Sequence, residues 1–93
     1  MHAVVVRVNI NDVEGGQQML ENEVVPTVKQ IPGFVSGVWT RSLDGSNGMS
    51  LMVFESEEAA HGIKERLESP EGPISSGAVD LQGVEIREVA ASA

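Results

Sequence analysis

The chain has 93 residues, a formal net charge of −8, six lysines and arginines together, and neither cysteine nor tyrosine. That length suits one domain over residues 1–93, and a chain this short buries so small a share of its surface that a lone monomer is marginal. The composition excludes disulfides, thiolate metal sites and a cysteine nucleophile, and the few basic residues argue against nucleic acid or an anionic membrane as partner.

Ala3 to Ile10 reads as a strand. Val4, Val6, Val8 and Ile10 point one way and Ala3, Val5, Arg7 and Asn9 the other. Apolar residues on both sides mark a central strand. The same stretch is too short an apolar run to span a membrane, and Arg7 interrupts it. It also lacks the basic start and small-residue cleavage site of a signal peptide, so the expected location is the cytoplasm. Asn11 or Asp12 is placed to cap a helix, with Glu14 three residues after Asn11 as in a capping box. Gly15 and Gly16 weaken the helix that follows. Val13, Leu20, Val24, Val28 and Ile31 keep an approximate helical stripe, and Pro26 inside it predicts a kink or two short helices near Val25. Pro32-Gly33 ends the segment.

Phe34 to Leu43 and Met49 to Phe54 are rich in residues that suit a pleated surface. Between them, Asp44-Gly45-Ser46-Asn47-Gly48 offers Asp-Gly and Asn-Gly, the pairs that supply positive φ in tight hairpins. After Phe54 the period changes. Ser56 can cap a helix whose first turn holds Glu57 and Glu58; Ala60, Ile63 and Leu67 share one side of it, and Pro70 stops it. Ser69 to Ala78, rich in Gly, Pro and Ser, reads as a loop. The last strand lies within Val79 to Val89, with Val84 and Ile86 on one side and Glu85 and Arg87 on the other.

The order is β-α-β-β-α-β. It predicts an α+β, ferredoxin-like domain: a four-stranded antiparallel sheet, both helices on one face, strands one and three in the centre. One face then lacks cover. With Val4, Val6, Val8, Met49, Leu51, Val53, Val84 and Ile86 assigned to the helix side, the open side carries Ala3, Val5, Met52 and Phe54. The two faces of residues 34–41 are equally apolar, so Val35, Trp39 and Arg41 suit either side. A large apolar patch is rare on a monomer, and a two-fold contact with a second copy would cover it. Arg7, Arg87 and Glu85 share this side, as ion pairs across the contact or as solvated charges.

A helix containing Val-Val-Pro, then Pro-Gly-Phe-Val-Ser-Gly-Val-Trp, then a strand ending Phe-Glu-Ser-Glu-Glu-Ala-Ala resembles the dimeric α/β-barrel superfamily. More narrowly, it resembles the antibiotic biosynthesis monooxygenase-like domains. The likeness covers the chain in order of elements, with its specific part from Ile31 to Ala60. It implies the fold and a homodimer. The superfamily includes cofactor-free oxygenases of polyphenolic rings, haem-degrading enzymes and small isomerases, so it implies function only coarsely.

Three residues follow as candidates for binding a small apolar or aromatic molecule: Trp39, Arg41 and Asn9. The resemblance gives Trp39 the role of stacking on a flat ring in the cleft between sheet and helices; anchoring the core or interface is the alternative and the commoner role. Arg41 or Asn9 would polarise an oxyanion. The absence of tyrosine removes any mechanism that needs a phenolic hydroxyl. Haem-degrading members imply an Asn on the first strand, a Trp and a helical His; Asn9 fits, whereas Trp39 is on the second strand and His61 falls off the apolar stripe of its helix. Asn9 also suits a turn. His2 has no recognisable partner, and Glu57 and Glu58 look like helix-start charges. The reading that results is a dimeric domain with a small-ligand cleft, in its enzymatic version a monooxygenase that needs no cofactor, in the alternative a non-catalytic binding or stress-related dimer.

Overall fold

The computed structural model describes residues 1–69 and 77–93. Strands β1 (His2–Ile10), β2 (Phe34–Arg41), β3 (Asn47–Phe54) and β4 (Val79–Glu88) form one antiparallel sheet in the order β2-β3-β1-β4. This is the ferredoxin-like plan, with β1 and β3 central as expected. Helical segments α1 (Val13–Met19), α2 (Val25–Lys29) and α3 (Glu57–Glu68) supply the residues that bury the sheet's inner face. Among the described residues no helix is long and apolar enough to cross a membrane.

The break expected at Pro26 takes a specific form. A π turn, Leu20–Val24, joins α1 to α2 and ends just before the proline. Pro26 has no N–H for the carbonyl of Asn22, and its ring crowds that carbonyl, so the ladder widens there. The wider turn also suits the side chains. Met19 and Val24 are five residues apart, yet both are buried, and Val28 follows at ordinary helical spacing. The expected capping box is not formed. Asp12 has the extended backbone of a cap but makes no capping bond. Asn11 is committed elsewhere: its Nδ2 donates to the Gly77 carbonyl at 3.1 Å and to Asp80 Oδ2 at 3.1 Å, tying the end of β1 to the start of β4.

Ser56 caps α3 as expected, its Oγ accepting from the Ala59 N–H at 3.1 Å, and Ala60, Ile63 and Leu67 are buried. Ser56→Ala should therefore cost about 1 kcal/mol, read as a fall in Tm of roughly 4–8 °C, while Ser56→Asp should keep most of the stability. Pro70 and most of the Ser69–Ala78 loop fall outside the described residues.

The β2–β3 hairpin is present, with its turn nearer β2 than expected. Gly45 has φ of +77°, but Gly48 has left the turn and pairs within β3, opposite Arg41. Asp44 holds the turn by accepting from the Ser46 N–H at 3.0 Å, Ser46 Oγ at 2.7 Å and Ser42 Oγ at 2.8 Å. Those donors, the Ser46 backbone N–H foremost, lower its carboxyl pKa to about 2.

The sheet's two faces differ from the expected assignment on β3. Val4 lies opposite Met52 and Val6 opposite Ser50, so Gly48, Ser50, Met52 and Phe54 share the helix side with Val4 and Val6. All four are buried. Met49, Leu51 and Val53 belong to the open face, where Met49 is 53% and Leu51 44% exposed. A one-residue change of phase flips every side chain of a strand. On β2, Trp39 and Arg41 lie opposite Ser50 and Gly48 and so face the helices, whereas Val38, opposite Leu51, faces out and is 59% exposed. The open face is apolar as expected and carries Ala3 and Val5 as expected, but Val38, Met49, Leu51 and Val53 stand beside them in place of Met52 and Phe54. Glu85 and Arg87 stand there too, paired with each other within the chain at 2.7 Å.

Candidate functional site

The helix-side residues of β3 run from small to large: Gly48, Ser50, Met52, Phe54. At the large end the sheet packs directly on α3. Phe54 meets Phe34 edge-on, with ring centroids 5.7 Å apart, and Ala60 and Ile63 join the same buried cluster. At the small end there is no bulk to meet the first helix, and a cavity of about 420 Å³ opens between sheet and α1. Val6, Val8, Ile10 and Met52 form its floor, and Met19, Leu20 and Val24 face them from the helical side. Cavities of this size, mostly apolar with a few polar groups, are the usual form of a small-molecule site.

Its polar groups are Ser50, which is buried, and Gln17, Thr40, Arg41 and Ser42. Arg41 Nη1 donates to Gln17 Oε1 at 3.2 Å, so β2 and α1 are joined by one hydrogen bond beside the cavity. Trp39 lines the cavity and is half-buried. Its indole lies over Gly37. A Cβ there would stand 2.7 Å from Trp39 Cη2, which real contacts do not allow, so glycine at 37 is what lets the ring lie down on its strand.

Two of the three residues expected to bind a ligand, Trp39 and Arg41, therefore come together. Asn9 does not join them. It is exposed and lies between Asn47 and Asp80 in the sheet, its side chain on the opposite face from Val8. The strand alternation that puts Val8 and Ile10 into the cavity takes Asn9 out of it. His61 is exposed on α3, 3.3 Å from Glu57, and does not line the cavity. His2 does have a partner, the same carboxylate at 3.6 Å. Among the described residues no histidine lines the cavity, and no group of three or more potential metal ligands exists.

Sequence reasoning missed Gln17, Ser50 and Gly48. A signal for Gln17 was present. Val13, Gln17, Leu20 and Val24 fall at i, i+4, i+7 and i+11, so a polar residue interrupts the stripe that faces the sheet. Ser50 and Gly48 were hidden by the wrong phase for β3.

No family model and no curated protein matches the chain by sequence. Solved structures do match by shape over nearly the whole chain, and the fold they share with it is the ferredoxin-like one. A proposed antibiotic biosynthesis monooxygenase from Deinococcus radiodurans superposes with a TM-score of 0.71 at 13% identity, over 100% of this chain and 96% of its own. SnoaB, a cofactor-independent oxygenase from Streptomyces nogalater, gives a TM-score of 0.71 at 13% identity, over 98% of this chain and 94% of that one. A dimeric ferredoxin-like protein from an uncultured marine organism gives 0.67 at 10% identity, over 99% and 97%. At these identities the likeness establishes a shared fold.

Proposed function

We propose that this protein is a homodimeric, cofactor-independent monooxygenase whose substrate is a small aromatic compound bound between the sheet and α1. The observation that carries this reading is the apolar cavity with Trp39 on its wall and Arg41 beside it. An indole offers a face for a flat ring. A guanidinium favours an ionised oxygen on that ring. A phenolate held this way is electron-rich enough to pass electrons to O₂ directly, so the substrate is its own reductant. One oxygen atom is added to the ring and the other leaves as water with two hydrogens of the substrate; among the described residues no aspartate, glutamate, histidine or lysine lines the cavity, so the phenol's proton leaves to water. The open sheet face, apolar around Leu51, is covered in this reading by a second copy. The fold shared with a cofactor-independent oxygenase and with a dimeric protein supports both parts.

The test is oxygen uptake with a panel of dihydroxyaromatic compounds. Turnover should appear with at least one of them and fall by about tenfold or more in Trp39→Ala and in Arg41→Met, the loss expected when a positioning contact is removed. No uptake across the panel would sink the enzymatic reading. That no carboxylate, imidazole or amine lines the cavity among the described residues favours a second reading, a non-catalytic small-ligand-binding dimer, which predicts a compound that is retained without consuming O₂.

A further inference from the structure

We infer that Gln17 is a specificity-determining residue: its carboxamide oxygen holds, on the guanidinium of Arg41, the place that an anionic oxygen of the ligand takes. The inference rests on the cavity being a ligand site, and it narrows the ligand to a flat apolar compound ending in a carboxylate or phenolate.

Both ends of the Gln17 amide are engaged. Its oxygen accepts from Arg41 Nη1 at 3.2 Å, and its Nε2 donates to Glu21 Oε1 at 3.0 Å. The amide is thus oriented with its carbonyl towards the guanidinium and its NH2 towards the Glu21 carboxylate. Of the other five cations, Lys64 pairs with Glu68 and Arg87 with Glu85, while Arg7, Lys29 and Arg66 form no ion pair among the described residues; none of these five lines the cavity, and Arg41 does. Among the described residues Arg41 forms no such pair. A full positive charge beside an apolar cavity, matched only by a neutral acceptor, is available to an anion. The guanidinium already strengthens its bond to the amide; exchanging the amide for an ionised oxygen adds the attraction of opposite charges, and the planar fork accepts a carboxylate in two-point fashion. The exchange is easy for the protein, because Gln17 is exposed and its oxygen returns to water. The surface as a whole is acidic, at −8, so a cation beside the entrance is also what would draw an anionic ligand to it.

Isothermal titration of the full chain at pH 7 tests this with 2-naphthoate, its neutral counterpart 2-naphthamide, and 2-naphthol. The acid should bind about tenfold or more tightly than the amide, because it meets the guanidinium with a full negative charge and two oxygens, where the amide offers one neutral oxygen. That ratio should collapse towards one in Arg41→Gln, and also in Gln17→Glu, which gives the guanidinium a carboxylate of its own. A change in the acid-to-amide ratio is a readout that a merely structural role for Gln17 would not move. Both positions are exposed, and circular dichroism checks that each variant is folded. If 2-naphthol tightens as pH rises through its own ionisation, in the unaltered protein and not in Arg41→Gln, the anionic oxygen is a phenolate as well as a carboxylate. Equal affinities for acid and amide, or a ratio that survives Gln17→Glu, would overturn the inference while leaving the cavity a ligand site. No binding of any probe would overturn the ligand site and this inference together.

Discussion

Replacing Leu51 by glutamate is expected to leave a folded chain that sediments as a 9.9 kDa monomer, where the proposed dimer of the unaltered protein should sediment at twice that mass. Leu51 is at the middle of the open face. It lies opposite Val38 on one side and Val5 on the other, with Met49 and Val53 alternating on its own strand. In a two-fold contact each substitution enters twice, so two carboxylates would be pressed into an apolar surface. The effective penalty for an unpaired buried ion is several kcal/mol, so the dimer dissociation constant should rise at least about 100-fold. The monomer itself should hardly notice, because Leu51 is already 44% exposed and surface substitutions usually stay within about 0.5 kcal/mol. Arg7, opposite Met49, is the cation on the same face of the neighbouring strand. Val38→Glu, on β2 and farther from Arg7, is the companion variant, and the two should agree. Sedimentation at micromolar protein reads both. If the two variants stay dimeric, the contact lies elsewhere; if the unaltered chain is already monomeric, the covered-face argument fails at its root.

Reading the sequence in advance recovered the fold's plan because that plan is written in local patterns. Alternation in residues 3–10, Asp44-Gly45 between two pleated runs, and Ser56 ahead of Ala60, Ile63 and Leu67 each specify an element without help from the rest of the chain. The faces of β3 were not legible, and the reason is physical. In Met49-Ser50-Leu51-Met52-Val53-Phe54 both phases are apolar, and Ser50 makes the truly buried one look the more polar. Only pairing with β1, which sets Ser50 against Val6 and Met52 against Val4, decides between them. The error carried into the site. Small residues on the inner face are what leave room for the cavity, so a reader who puts Ser50 and Gly48 outside cannot foresee it. Trp39 and Arg41 stood out as candidates because one is large and rare and the other charged. Gln17 did not, because a glutamine in a helix draws no attention until something stands opposite it.

Phe54→Ala gives the sharpest separation between the two ways of facing β3. Phe54 is fully buried, packs edge-on against Phe34, and shares its cluster with Ala60 and Ile63 of α3. Removing such a ring typically costs about 3–5 kcal/mol, against a total of about 5–15 kcal/mol for an ordinary domain. Tm should therefore fall by at least roughly 12 °C, at about 4 °C or more per kcal/mol for a chain of this size. Phe54→Leu, which refills most of the space, should recover much of the loss. Met49→Ala, one face over, removes a side chain that is already 53% exposed in the single chain and should move the monomer's Tm by no more than about 2–4 °C, within about 0.5 kcal/mol. The opposite facing predicts the reverse pair of results: Phe54→Ala would loosen a dimer and spare the fold, and Met49→Ala would unfold it. Because stability and association are measured separately, by thermal denaturation and by sedimentation, the two variants together decide which side of β3 the helices cover, and with it whether Gly48 and Ser50 can line a cavity at all.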